Sequence, residues 1–399
     1  MSSFAELEAL DATSVMGTYA RLPVAFVRGS GTRLWDSEGK EYLDFLAGLA
    51  VVSLGHAHPE VAEAIAEQAR TLLHVSNLYY NDVQPRLAAR LDTLLGGDGE
   101  VFFANSGAEA NECAIKLARR YGQREGGPER YQVVSALDSF HGRTLTALAA
   151  TGQPAKQATF QPLPPGFSQV TFGDLPALES AVDRTTAAVL LEAVQGEGGV
   201  HVAPPDYLAG VRRLCDRIGA LLIIDEVQTG LGRTGRWFGF EHFDVRPDVV
   251  TLAKALGNGV PIGACWARAE VAKAFEPGDH ATTFGGQPLA ARAALATLEV
   301  MERERVPKRA ARAGARLAEG LAAIPGVAGV RGLGLLLAAE LDGIDAKTAN
   351  SACLQAGLVL NAVTPTALRF APPLLVSDDE IDQALAIVAQ VLAGSSRQP

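Results

Sequence analysis

Residues 220–235 read ALLIIDEVQTGLGRTG and residues 248–263 read DVVTLAKALGNGVPIG. Each opens with a short apolar run, 221–224 and Val249–Leu252, bounded by turn residues, so each is expected to form a buried strand. The first run ends on a carboxylate, Asp225. The second is followed by a lysine, Lys254, and a glycine-rich turn. In open α/β sheets, ligands gather outside the carboxyl ends of the strands. An acid and a lysine at adjacent strand ends point to a site for a charged, carbonyl-bearing cofactor.

The surrounding chain is long enough to carry such a sheet. Its 399 residues exceed one typical core, so two or more lobes are expected. A net charge of −10 argues against nucleic acid or an anionic membrane surface as the partner. Four cysteines, Cys113, Cys215, Cys265 and Cys353, lie in apolar segments without CxxC spacing, which favours reduced core thiols. The N-terminus has no basic region followed by an apolar run, and no stretch of ~18 apolar residues occurs. A cytoplasmic protein is the simplest expectation.

Taken in order, residues 1–50 suggest a small β-meander with turns at 29–31 and 37–39. A helix is expected to begin at Pro59, and another spans 87–95. A main alternation of strand and helix starts at 101–104. There Ser106 stands three residues before Glu109, a capping-box pattern that starts a helix with Gly107 and Ala108 in its first turn. Free N–H groups at that turn favour an anion such as phosphate. Further strands are expected at 131–136, 187–194, 220–225 and 249–252, and a helix at 204–219. Residues 153–168 read as a long irregular connection. The alternation argues for a mainly parallel sheet with helices on both faces. The C-terminal part changes character: helices at 287–304 and 307–323, strands at 333–341, 358–363 and 368–371, and a last helix capped by Ser377 and Glu380. This reads as a smaller α+β lobe.

Three motif-like stretches carry less than they suggest. Gly230, Gly232 and Gly235 fit GxGxxG, but residues 225–229 separate them from the strand and no helix follows, so a dinucleotide fingerprint is not supported. His56 and His58 form an HxH pair without further ligands nearby; a loop before a helix is the better reading, and no metal is expected. No GxxxxGK[ST], HExxH or GxSxG occurs.

The groups at the predicted strand ends are Gly107 and Ala108, Phe140 and Arg143, Glu192 and Glu197, Asp225 and Gln228, and Lys254. Pyridoxal 5'-phosphate uses such a set: a lysine to hold its aldehyde, a carboxylate at its pyridine nitrogen, an anion site for its phosphate and an aromatic ring over its face. With these residues in view the chain resembles the class III pyridoxal-phosphate aminotransferases, and within them the acetylornithine branch. The stretches that carry the resemblance are NSGAEANECAIKLAR (105–119), SFHGRT (139–144), TGQPAKQ (151–157), QGEGGV (195–200), LLIIDEVQTGLGRTG (221–235), TLAKALGNGVPIGA (251–264), TTFGGQP (282–288) and LRFAPPL (368–374). They cover nearly the whole chain.

The resemblance implies a fold-type I α/β architecture. A large domain at 51–290 would have a mainly parallel seven-stranded sheet, a smaller α+β domain would span 291–399, and residues 1–50 would pack with the latter. It implies that Lys254 binds the cofactor and moves the proton in catalysis, Asp225 faces the pyridine nitrogen, and Gln228 bonds the phenolic oxygen. Gly107 and Ala108 would bind the phosphate, with Thr283 reaching it from the partner of a homodimer, and Phe140 would stack on the ring. Arg143, with Thr282 nearby, would take the carboxylate of N2-acetyl-L-ornithine. Arg369 would take the α-carboxylate of 2-oxoglutarate, and Glu197 would pair with Arg369 when the amino donor is bound. A static ion pair is the alternative for Glu197 and Arg369. The implied reaction is transamination to N-acetyl-L-glutamate 5-semialdehyde and L-glutamate, in arginine biosynthesis. Related donors (ornithine, succinylornithine, succinyldiaminopimelate, carrier-linked lysine) are the nearest alternatives, and an aminomutase or racemase is a more distant one. The chain departs from the family pattern at Ala193, Ala255, Asn258, Ala281 and Gln287, all beside turns, and none of these removes a reactive group.

Overall fold

In the computed structural model, which describes residues 3–395, the two apolar runs lie side by side as parallel strands, with Ile223 opposite Val249 and Asp225 opposite Thr251. Every residue of both strands is buried, as a parallel sheet covered on both faces requires. They sit at the centre of a seven-stranded sheet. Its strands in chain order are β1 (Gly99–Ala104), β2 (Gln132–Ala136), β3 (Phe167–Val170), β4 (Thr186–Glu192), β5 (Leu221–Asp225), β6 (Val249–Leu252) and β7 (Gly263–Arg268). Their spatial order is β1-β7-β6-β5-β4-β2-β3. Only β7 runs against its neighbours.

The edge strand β3 falls partly within the stretch expected to be irregular, which also holds a short helix, Pro154–Ala158. The sequence signal there is weak for a physical reason. An edge strand buries little, and Phe-Ser-Gln-Val is mostly half-exposed, so it needs no apolar run.

The helix that follows β1, α1 (Gly107–Gly126), crosses the sheet with Ala110, Cys113, Ala114, Leu117 and Ala118 buried. Ser106 caps it as expected, its Oγ accepting from the Glu109 N–H at 3.2 Å. The reciprocal bond is displaced by one residue: the Glu109 carboxylate accepts from the N–H of Asn105 at 2.7 Å and from its side-chain amide at 2.8 Å. The box thus stiffens the loop between β1 and α1 instead of closing on the cap itself.

Two smaller sheets flank this core. Strands Phe26–Ser30, Arg33–Asp36 and Glu41–Asp44 form the expected meander, and Glu41–Asp44 pairs in parallel with Leu358–Val359 from the far end of the chain. Strands Val327–Leu333, Leu336–Leu341, Ala367–Phe370 and Asn361–Ala362 form an antiparallel sheet. The stretch expected as one strand at 333–341 is therefore the second arm of a hairpin that turns at Gly334. A helix not anticipated from the sequence, Ala346–Gln355, follows it. The four cysteines are free and buried. His56 bonds Asp44 at 2.7 Å and His58 precedes the helix Pro59–Thr71, so the HxH pair serves the fold. Residues 1–2 and 396–399, the ends of the two terminal regions delimited above, lie outside the described residues.

The GLGRTG stretch is a turn that joins these parts. Gly232 and Gly235 both have φ of 92°, a conformation that glycine adopts without strain. Between them Arg233, only 1% exposed, donates to the carbonyls of Leu335 at 3.0 Å and Pro372 at 2.6 Å, and to Ser53 Oγ at 3.4 Å. One guanidinium thus ties the turn after β5 to both ends of the C-terminal sheet's connections, at Leu335 and Pro372, and to Ser53. Burial pushes its pKa down to about 9, with Asp44 opposing, so it remains charged at neutral pH. Replacing it leaves buried carbonyl oxygens without donors. Arg233→Met is expected to cost about 2–4 kcal/mol of stability and to lower the melting temperature by several degrees in calorimetry; a change within about 1 °C contradicts this role.

Candidate active site

The carboxyl ends of β1, β2, β4, β5 and β6 share one edge of the sheet, and a cavity of ≈ 400 Å³ opens there. Its wall contains the residues singled out at the strand ends. Ser106 to Ala108 come from the first turn of α1, Phe140 and Arg143 from the segment after β2, and Glu192 and Glu197 from the segment ending β4. Asp225, Gln228 and Lys254 come from the ends of β5 and β6.

Asp225 is 4% exposed and is held from three sides. Its Oδ2 accepts from Asn111 Nδ2 at 2.7 Å and from His141 Nδ1 at 2.9 Å, and its Oδ1 accepts from the Val227 N–H at 3.0 Å. Asn111 in turn donates to the His141 carbonyl at 2.7 Å and accepts from Thr251 Oγ at 2.8 Å. Asn111, His141 and Thr251 were not assigned a role from the sequence. Asn111 and His141 lie within quoted motifs, NSGAEANE and FHGRT, but neither motif states which side chains meet. Register supplies that signal, since Asp225 pairs with Thr251 across β5 and β6.

Glu192 is directly opposite Asp225 across β4 and β5. Burial, followed by the neighbouring Asp225 charge, raises its carboxyl well above the usual carboxylate range, against the N–H of Phe140 that donates to it at 3.3 Å. Two adjacent buried acids cannot both ionise cheaply. Burial beside Asp225 therefore favours the neutral form of Glu192.

Lys254 has φ of 44°, the left-handed region, which costs a lysine about 1–2 kcal/mol. Such strain persists where the surroundings fix it, and it often marks a functional residue. Burial is the largest influence on its ammonium and pushes the pKa below the ordinary value. Glu197 opposes the shift, Arg369 adds to it, and Asp225 and Glu192 oppose it. A larger fraction of neutral amine is what a nucleophilic or proton-transferring lysine needs.

Arg369 enters from the C-terminal sheet, on Ala367–Phe370. It is 1% exposed and meets Glu197 Oε1 at 2.6 Å, the Gly196 carbonyl at 3.1 Å and Asn361 Oδ1 at 3.0 Å. Gln228 bridges the pair, donating to Glu197 at 3.3 Å and accepting from Arg369 at 3.5 Å. Arg369 Nη2 is buried without a hydrogen-bond partner. Burial works against the charge of Glu197, but Arg369 and Lys254 outweigh it and hold the carboxyl below its usual range. The ion pair is therefore intact at neutral pH and is lost only as pH falls through that depressed value.

The structure does not bring every expected residue to this cavity. Thr282 and Thr283 line a separate surface cavity with Ser76, Asn77 and Tyr80. Thr282 reaches the first cavity only at second hand, through a 3.5 Å contact with Asn105. The turn at Gly107 is tight: a Cβ there would stand 2.7 Å from Val227 Cγ1.

The comparisons with known proteins agree with this geometry. The family model for class-III aminotransferases matches residues 15–392. The acetylornithine aminotransferase of Gloeobacter violaceus is 52% identical over 384 residues, covering 95% of this chain and 96% of the relative. That of Caldanaerobacter subterraneus is 50% identical over 383 residues, covering 95% and 97%. Among solved structures, ornithine aminotransferase from Toxoplasma gondii superposes with a TM-score of 0.95 at 36% identity, covering 100% of this chain and 97% of that one. Acetylornithine aminotransferase from Elizabethkingia anophelis gives 0.88 at 31% identity, covering 99% and 100%. A buried acid and a strained lysine at neighbouring strand ends, within likeness that runs almost end to end, make this chain a member of the class-III aminotransferase family.

Proposed function

We propose that this aminotransferase uses pyridoxal 5'-phosphate to move the δ-amino group of N2-acetyl-L-ornithine to 2-oxoglutarate. The products are N-acetyl-L-glutamate 5-semialdehyde and L-glutamate, and the reaction belongs to arginine biosynthesis. The observation that carries the reading is the Glu197 and Arg369 pair set beside Lys254. The acyl-ornithine assignment is supported by relatives of about half identity that carry that name.

The residues present fit the cofactor. The first turn of α1 offers the N–H groups of Gly107 and Ala108, which have no intrahelical acceptor, to a phosphate. Asp225, fixed by Asn111 and His141, presents a carboxylate to a ring nitrogen, and Phe140 supplies an aromatic face on the cavity wall. When bound, the cofactor supplies an aldehyde for the amine and a ring that accepts electrons from the substrate carbon. Lys254 contributes the covalent attachment and, once released, the amine that carries a proton. Gln228, already between Glu197 and Arg369, is placed to bond the phenolic oxygen.

An aminotransferase must accept two unlike substrates in turn. 2-Oxoglutarate brings an α-carboxylate next to its keto carbon, and a guanidinium with an unpaired Nη2 suits it. The amine end of acetylornithine has no carboxylate there, and Glu197 then neutralises Arg369. Arg143, on the cavity wall, takes the donor's carboxylate.

The second cavity fits a homodimer. Around Thr282 and Thr283 lie Leu78, Tyr80 and Phe284, which are 85%, 100% and 60% exposed. An exposed apolar patch of this kind marks a protein contact. A second copy seated there would leave Thr283 available to the partner's phosphate and Thr282 to the substrate carboxylate. A cytoplasmic location accords with free amino-acid substrates and four unpaired thiols. Among the described residues no helix is long and apolar enough to cross a membrane.

Three outcomes test the reading. In a donor panel with 2-oxoglutarate, acetylornithine is expected to give the highest kcat/KM over succinylornithine, ornithine and 4-aminobutyrate, and Lys254→Ala to lose at least about 10³-fold in turnover. Full turnover by Lys254→Ala contradicts the mechanism. Glu197→Gln frees Arg369, so the KM for 2-oxoglutarate is expected to fall about 3–10-fold while the acetylornithine half-reaction slows; an unchanged KM in steady-state assays makes the pair merely structural. Leu78→Asp with Tyr80→Asp is expected to halve the mass in light scattering and to weaken cofactor retention; a dimer of unchanged stability places the interface elsewhere.

A further inference from the structure

Lys156 lies outside the cavity wall but next to it. It belongs to the short helix Pro154–Ala158, within the stretch expected to be irregular. Its Nζ stands 5.3 Å from the centroid of the Phe140 ring, and the Arg143 guanidinium carbon stands 5.7 Å from the same centroid. Two cations therefore share one aromatic ring at the end of the site where Arg143 is placed. Among the described residues neither makes an ion pair or a side-chain hydrogen bond. The nearby carboxylate, Glu197, is already engaged by Arg369 at 2.6 Å. A lysine on a solvated face would extend into water. Here the ammonium is partly buried, and burial, followed by repulsion from Arg143, lowers its pKa, with Glu197 opposing.

Consider what each donor brings to this end, taking the functional reading above as the basis. Both acetylornithine and ornithine carry an α-carboxylate, which Arg143 binds and whose charge it neutralises. Acetylornithine carries a neutral amide on the α-carbon. Ornithine carries an ammonium there at neutral pH. With Arg143 compensated by the carboxylate, Lys156 is the uncompensated cation left beside it. We propose that Lys156 is a specificity-determining residue, which with Arg143 forms a paired cationic rim against Phe140 and disfavours donors whose α-nitrogen is still charged. The acyl group is then recognised chiefly as the absence of a positive charge, through a repulsive element set against the wrong substrate. Like charges a few ångströms apart at the edge of a protein interact by an amount that corresponds to about a tenfold discrimination after screening by water.

The test measures kcat/KM for acetylornithine and for ornithine, with 2-oxoglutarate, in the wild-type holoenzyme and in Lys156→Met and Lys156→Arg. In Lys156→Met the ratio of ornithine to acetylornithine is expected to rise about 5–20-fold, mostly through a lower KM for ornithine, with kcat on acetylornithine within about threefold of wild type. Lys156→Arg, which keeps the charge, is expected to keep the wild-type ratio. Added salt should raise the ornithine ratio in the wild type and leave it flat in Lys156→Met. A ratio unchanged within twofold in Lys156→Met overturns the proposal while leaving the functional reading intact. A wild-type enzyme that turns over no acylornithine overturns the functional reading itself, and the proposal with it. Should Lys156→Met not fold, Lys156→Gln carries the same comparison.

Discussion

The side chain of Asn111 holds the site together. It is 1% exposed and uses its amide in three directions: both N–H bonds go to Asp225 and the His141 carbonyl, and its oxygen accepts from Thr251. Those partners belong to three different strand ends, and Asn111 itself sits one turn into α1. Helix α1, whose first turn lines the cavity, is thereby locked to the acid and to the strand that delivers the lysine. Every polar atom of this buried amide is paired, so a shift of Asn111 leaves a polar group without a partner in a low-dielectric interior. The spacing between the first turn of α1, the acid and the lysine is consequently a property of the core.

Charge is distributed around that frame with the same economy. Six ionisable side chains, His141, Arg143, Glu192, Glu197, Asp225 and Lys254, line one small cavity, and Arg369 pairs with Glu197. Full ionisation of all of them is expensive where water is excluded. Glu192 is pushed toward its neutral form, Glu197 is held charged by Arg369, and burial favours the neutral amine at Lys254. Glu197 and Arg369 form a close ion pair beside Lys254. Lys156 and Arg143 form the complementary case: two cations that share the Phe140 ring and make no ion pair among the described residues.

Much of this was legible in the chain. The apolar runs at 221–224 and Val249–Leu252 announced buried strands because a parallel strand covered on both faces has no polar alternation to blur it. The acid and lysine stood out because each follows such a run directly. Ser106 and Glu109 marked the helix start by a local hydrogen-bond rule that needs no tertiary information. What stayed hidden was of another kind. Strand β3 and the arm Val327–Leu333 are half-exposed and carry little apolar pattern. Asn111, His141 and Thr251 looked like ordinary helix, loop and strand residues until the register brought them together.

The sequence by itself determined the order of elements, the reactive groups and the chemistry those groups are suited to, because periodicity, caps and residue type are local properties. Only the tertiary structure decided which groups share a cavity and which charges survive there. It sent Thr282 and Thr283 to a surface of their own, turned GLGRTG from a nucleotide-like motif into a clamp around Arg233, and placed Lys156 beside Arg143. The reason is physical: hydrogen-bond networks, desolvation and charge coupling depend on distances between residues far apart in the chain, and those distances exist only once the sheet has formed.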